Sequence, residues 1–70
     1  MWLVETLNST YSVEAIGSHF KVTKVDGIAS EYYLDKGQSR LHTMVAFEVG
    51  KRAHFGSIQT TTVKSVKEAR

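Results

Sequence analysis

Between residues 2 and 25 the chain alternates apolar and polar side chains in three short runs, each ending at turn-forming residues. An extended strand sends successive side chains to opposite faces, so this is a pattern that half-buried strands satisfy and helices do not. The first run, WLVETL at 2–7, sets Trp2, Val4 and Thr6 against Leu3, Glu5 and Leu7 and is followed by Asn8-Ser9. The second, TYSVEAI at 10–16, places Tyr11, Val13 and Ala15 on one face and Thr10, Ser12 and Glu14 on the other, before Gly17-Ser18. In the third, HFKVTKV at 19–25, Phe20, Val22 and Val25 are expected inward, with Lys21, Thr23 and Lys24 in water. Three such strands joined by tight turns form a β-meander.

Asp26-Gly27 marks the next turn. The segment IASEYYLD at 28–35 fits a short helix or a strand, and the paired Tyr32 and Tyr33 favour a strand that enters a turn at Asp35-Lys36-Gly37. LHTMVAFEV at 41–49 also fits both templates. Period two groups Leu41, Thr43, Val45, Phe47 and Val49, whereas a helical stripe takes Leu41, Met44, Val45 and Val49. Its β-branched and aromatic content, with Gly50 stopping the run, favours a strand. Gly50-Lys51-Arg52 reads as a turn, 53–55 as a short strand, and Gly56 as a bulge or bend. SIQTTT at 57–62 then leads to a closing strand anchored by Val63 and Val66. With no proline and evenly spaced turns, residues 1–70 predict one all-β domain, a small antiparallel barrel or strongly bent meander sheet of roughly five to seven short strands.

Seventy residues bury only ~60% of the surface that the unfolded chain exposes, so such a core is marginal. Cysteine is absent, which excludes disulfides, thiolate metal sites and cysteine nucleophiles and leaves oligomerisation as the expected supplement. Nine Lys and Arg against seven Asp and Glu give a net charge of +2, with Lys64, Lys67 and Arg70 concentrated near the end. A basic end meets phosphates or simply keeps a small protein in solution. No apolar run approaches a membrane span, and the first residues lack the pattern of a signal peptide, so a cytoplasmic, non-membrane protein is expected.

Chemical motifs are sparse. His19, His42 and His54 lack the close spacing of metal ligands, and Glu31 with Asp35 reads as the polar edge of a turn. No serine stands in a nucleophile elbow and no glycine-rich phosphate loop is present. The expectation is a binding protein, without catalytic residues, cofactor or metal. Hydroxyl and amide groups cluster at Gln59, Thr60, Thr61 and Thr62, and again at Asn8, Ser9 and Thr10. If the first and last strands pair, the two clusters approach one another. With the nearby cations Lys51, Arg52 and Lys64, and with Tyr11 beside Thr10, they make up the candidate ligand-binding set. Against this stands ordinary structure: threonine is a good strand former, Asn-Ser is common turn chemistry, and most of the aromatics are core. Trp2, Tyr32 and Tyr33 are the rings with a chance to stack on a base.

Three stretches carry a resemblance: Trp-x-Val-x-Thr-x-Asn-Ser-x-Tyr-x-Val at 2–13, Glu-Val-Gly-Lys-Arg-Ala-x-Phe at 48–55, and Thr-Thr-Thr-Val-x-Ser-Val at 60–66. The chain resembles a loose group of very short phage-encoded proteins with Asn-Ser-x-Tyr-x-Val near the N-terminus and Thr-Ser-Pro-Val-x-Ser-Ile near the C-terminus. It departs from them at Thr61 and Thr62, where the group has Ser and Pro. The resemblance implies a setting in which a small non-enzymatic protein occupies something belonging to the host. A nucleotide-derived immune signal held in a pocket between subunits is the first expectation. The alternatives are a basic barrel that binds nucleic acid through Lys21, Lys24 and the basic tail, and a module that blocks a host protein through a sheet edge.

Overall fold

A computed structural model describes residues 1–27 and 34–68. Among them are seven strands: β1 Trp2–Thr6, β2 Ser9–Ile16, β3 His19–Gly27, β4 Ser39–His42, β5 Val45–Ala46, β6 Arg52–Phe55 and β7 Ile58–Glu68. They form one antiparallel sheet in the order β4-β3-β2-β1-β7-β6-β5, curled into a half-barrel. β1, β2 and β3 are the meander legible from period two. Of the strand expected over 28–35, only Leu34 and Asp35 lie within the described residues. Leu34 is buried in the core, and Asp35 opens a turn in which its carbonyl accepts from Gln38 N at 2.9 Å.

Cross-strand register lines up the inward side chains. Val66, Val4, Tyr11 and Lys24 form one row across β7, β1, β2 and β3, and Trp2, Val13 and Val22 form the next. The core is Val4, Tyr11, Val13, Val22, Leu34, Ala53, Phe55 and Val63, with Trp2, Phe20, Val45, Phe47 and Val66 packed against it. Tyr11 and Phe55 meet edge to face, with centroids 5.2 Å apart, and join the two halves of the curl. Ala15 shares the face of Tyr11 and Val13 but is exposed, because the β2–β3 hairpin runs on past the core.

Two inward assignments change. Lys24 is fully buried, whereas Val25 is 44% exposed. The pairing passes from Thr10 opposite Asp26 to Tyr11 opposite Lys24, so Val25 is the extra residue of a bulge. Strict alternation from Phe20 and Val22 therefore carries Lys24 inward, against the ranking by hydrophobicity. At the end of β3, Gly27 runs so close to the β1–β2 turn that an added Cβ would stand 2.5 Å from Asn8 O, and its φ of +128° suits glycine.

The run at 41–49 is neither one long strand nor a helix. It divides into β4, which pairs with β3, and β5, which pairs with β6, with a bend at Thr43 between them. These two strands are the opposite edges of the sheet, so two residues carry the chain from one edge of the half-barrel to the other. Met44 O accepts from Gly56 N at 2.9 Å and fixes the bend. Leu41 and Val49, which period two groups with Val45 and Phe47, are each 58% exposed as a result. Gly56 belongs to the tight β6–β7 turn that sets Phe55 opposite Ile58.

The first and last strands do pair. β7 runs unbroken from Ile58 to Glu68, so the threonine cluster lies inside the strand and not before it. Its first half pairs with β6 and its second half with β1. The change of partner falls at Thr62 and Val63. Thr62 O accepts from Leu7 N at 3.1 Å, while Val63 O accepts from Gly50 N at 2.9 Å and Val63 N donates to Lys51 O at 2.8 Å.

Candidate functional site

Alternation along β6 buries Ala53 and Phe55 and turns Arg52 and His54 outward. On the same side, register sets Ala46 and Gln59 opposite His54, and Thr62 opposite Arg52. Beyond β5 the chain leaves the ladder and turns, with Lys51 N donating to Glu48 O at 3.1 Å. Phe47, Glu48 and Lys51 thereby join Ala46, Arg52 and His54 around a groove of about 270 Å³. Phe47 is half-buried, and Trp2 lies behind it with ring centroids 5.9 Å apart and planes inclined at 58°.

Charge in this groove is distributed unevenly. Lys51 Nζ lies 3.5 Å from Glu48 Oε2, whereas Arg52 makes no ion pair among the described residues. The guanidinium is a planar fork of five donors that suits phosphate, and no ion pair among the described residues occupies it. His54 adds an imidazole two residues along the same face. The groove thus offers exposed donors, a ring and one carboxylate acceptor.

A second depression of about 180 Å³ lies at the other end of β1, lined by Glu5, Thr6, Leu7, Asn8, Ser9, Thr10, Asp26, Gly27 and Lys64. Thr6 Oγ1 is engaged there, donating to Ser9 O at 3.0 Å and accepting from Ser9 N at 3.1 Å. Lys64 Nζ reaches Glu5 Oε1 at 3.9 Å and Lys36 Nζ reaches Asp26 Oδ1 at 3.8 Å, so each of these cations is already paired with a carboxylate and offers little to a phosphate.

The expected ligand-binding residues therefore divide. Lys51 and Arg52 line the first groove, with Gln59 and Thr62 as cross-strand neighbours, whereas Asn8, Ser9 and Lys64 line the second. Tyr11 is a core ring, 6% exposed. Thr60 is buried, and its Oγ1 accepts from Ala53 N at 3.1 Å and donates to Thr61 O at 2.7 Å. That hydroxyl serves a backbone N–H where the β6–β7 register shifts. Thr61 is half-buried beside it. Sequence reasoning passed over Ala46, Phe47, Glu48 and His54. The signal for His54 was available, since it alternates with two apolar residues on a strand that also carries Arg52.

No helix among the described residues is long and apolar enough to cross a membrane, and none of their His, Asp and Glu side chains gather in threes as a metal site would need. The fold and groove define a small curled β half-barrel with a depression lined by Phe47, Glu48, Lys51, Arg52 and His54. No family model, curated protein or solved structure matches the chain.

Proposed function

We propose that this chain is a non-enzymatic binding protein that captures a nucleotide-type small molecule in the groove of Phe47, Lys51, Arg52 and His54, with a second copy closing over it. The observation that carries this reading is the pair Arg52 and His54 on one face of β6, beside a ring held from behind by Trp2. Phosphate oxygens accept from the guanidinium and imidazole, and a base stacks on Phe47. The groove, at about 270 Å³, falls just under the ~300–1,000 Å³ of typical small-molecule sites. One protomer covers part of such a ligand and a second covers the rest, which also relieves the marginal core of a 70-residue chain. In the phage setting the resemblance implies, the protein acts in the host cytoplasm against defence, sequestering a nucleotide-derived immune signal.

Calorimetry against cyclic dinucleotides and cyclic ADP-ribose derivatives tests this reading, with light scattering of the same samples for the oligomeric state. Saturable binding by a dimer supports it, and the absence of heat with every ligand sinks it. The nucleic-acid alternative has less support, because Lys24, one of the cations expected to follow a phosphate backbone, is buried.

A further inference from the structure

The groove is not uniformly cationic, and its one carboxylate bears on which base it takes. Glu48 lines it next to Phe47 and sits 3.5 Å from Lys51, with both side chains more than two-thirds exposed. Those two charges largely offset one another, so the positive character is concentrated at Arg52. A ligand matched to this lining combines an anion for Arg52, a flat ring for Phe47 and N–H donors for Glu48.

We propose that the groove selects guanine, with the Glu48 carboxylate accepting from the base N1–H and N2 amino group while the ring stacks on Phe47 and the phosphate reaches Arg52 and His54. This rests on the nucleotide reading above and deepens it. An ionised carboxylate can only accept hydrogen bonds. Guanine places two donors side by side on its Watson–Crick edge, spaced to meet both oxygens. Adenine and cytosine put a ring-nitrogen lone pair beside their amino group, and uracil flanks its single donor with carbonyls, so each turns an acceptor toward the carboxylate. Phe47 is packed against the core and backed by Trp2, which holds the ring face in place and lets edge contacts at Glu48 discriminate.

The test is calorimetric titration of the wild type and Glu48→Gln with GMP, AMP, 2′-deoxy-GMP and ribose 5-phosphate. The expected result is GMP bound at least about tenfold more tightly than AMP, the discrimination that a bidentate contact supplies. Deoxy-GMP should match GMP, ribose 5-phosphate should bind more weakly than either, and Glu48→Gln should bring GMP and AMP within about threefold of each other. Melting curves of the variant should overlay the wild type, because an exposed pair contributes little to stability. Equal binding of GMP and AMP overturns the proposal, as does a base preference that survives Glu48→Gln. Loss of affinity for deoxy-GMP without base preference reassigns Glu48 to the ribose hydroxyls and overturns it too. These results leave the nucleotide reading standing, whereas no binding of any nucleotide removes both.

Discussion

The imidazole of His42 occupies the space that a side chain at Gly56 would need: its Nδ1 lies 2.8 Å from where a Cβ would be. His42 ends β4 and Gly56 starts the β6–β7 turn, so this close approach sets one edge strand of the curled sheet against that turn, next to the bend at Thr43. Gly56 also has a φ of +63°, a region that side chains rarely adopt. Gly56→Ala should therefore destabilise the fold by about 2–3 kcal/mol, combining the left-handed backbone cost with displacement of the ring. Gly17 provides the comparison, having φ +59° with nothing within 4 Å, and Gly17→Ala should cost only about 1–2 kcal/mol. Urea midpoints of the two variants check the order, and equal losses would mean that the His42 contact carries no weight.

His42 also makes the fold sensitive to acid. Burial, and then the neighbouring positive charge of Arg40, hold its pKa below the ordinary 6.5. The unfolded chain consequently binds a proton that the folded chain resists, and stability rises with pH across this interval. The contribution is complete above about pH 6.5 and is lost as pH falls through the lowered folded value. Urea unfolding at a series of pH values should show this loss, and His42→Gln should flatten it. An unchanged slope in the variant would assign the acid sensitivity to other groups.

Thr60 should behave as a structural residue. Thr60→Val removes the acceptor for Ala53 N and should destabilise by about 1–3 kcal/mol, whereas Thr60→Ser keeps the hydroxyl and should lose less. Nucleotide affinity of the serine variant should equal that of the wild type. A tenfold change in affinity with the melting temperature intact would instead put Thr60 in contact with ligand.

Arg52 should show the opposite division. It is exposed and makes no ion pair among the described residues, so Arg52→Ala should leave stability within about 0.5 kcal/mol. Loss of a charge-assisted contact to phosphate should weaken binding by about 10- to 100-fold, with Arg52→Lys intermediate because an ammonium lacks the planar fork. Calorimetry and thermal melts on the same preparations measure both, and affinity unchanged in the alanine variant would move the phosphate elsewhere.

The meander of β1, β2 and β3 was legible because its information is local. Period two, turn residues and β-forming side chains act within a few positions of one another, and they grouped Tyr11 with Val13 on one face and placed Val22 inward as found, while leaving the buried face of β1 unassigned. Lys51 and Arg52 were legible as cations beside the Gly50 turn, whereas pairing of the first and last strands was a condition that sequence left open and that the order of the curled sheet meets at its centre. Hydroxyls were a poorer guide. In a strand, whether a threonine faces water or serves a neighbouring N–H depends on the register of the strand beside it, and Thr60 is inward because β6 and β7 slip past one another at Ala53.

Residues that act on their own neighbours thus determined an all-β chain, its meander and most of its core from sequence alone. Tertiary structure decided the exchange of Val25 for Lys24 at a bulge, the division of 41–49 between opposite sheet edges, and the groove that brings Phe47 and Glu48 to Arg52 and His54. The physical reason is common to all three. A bulge, a bend or a groove wall is set by hydrogen bonds to strands distant in sequence, such as Met44 O with Gly56 N and Val63 N with Lys51 O, and those partners exist only once the sheet has curled.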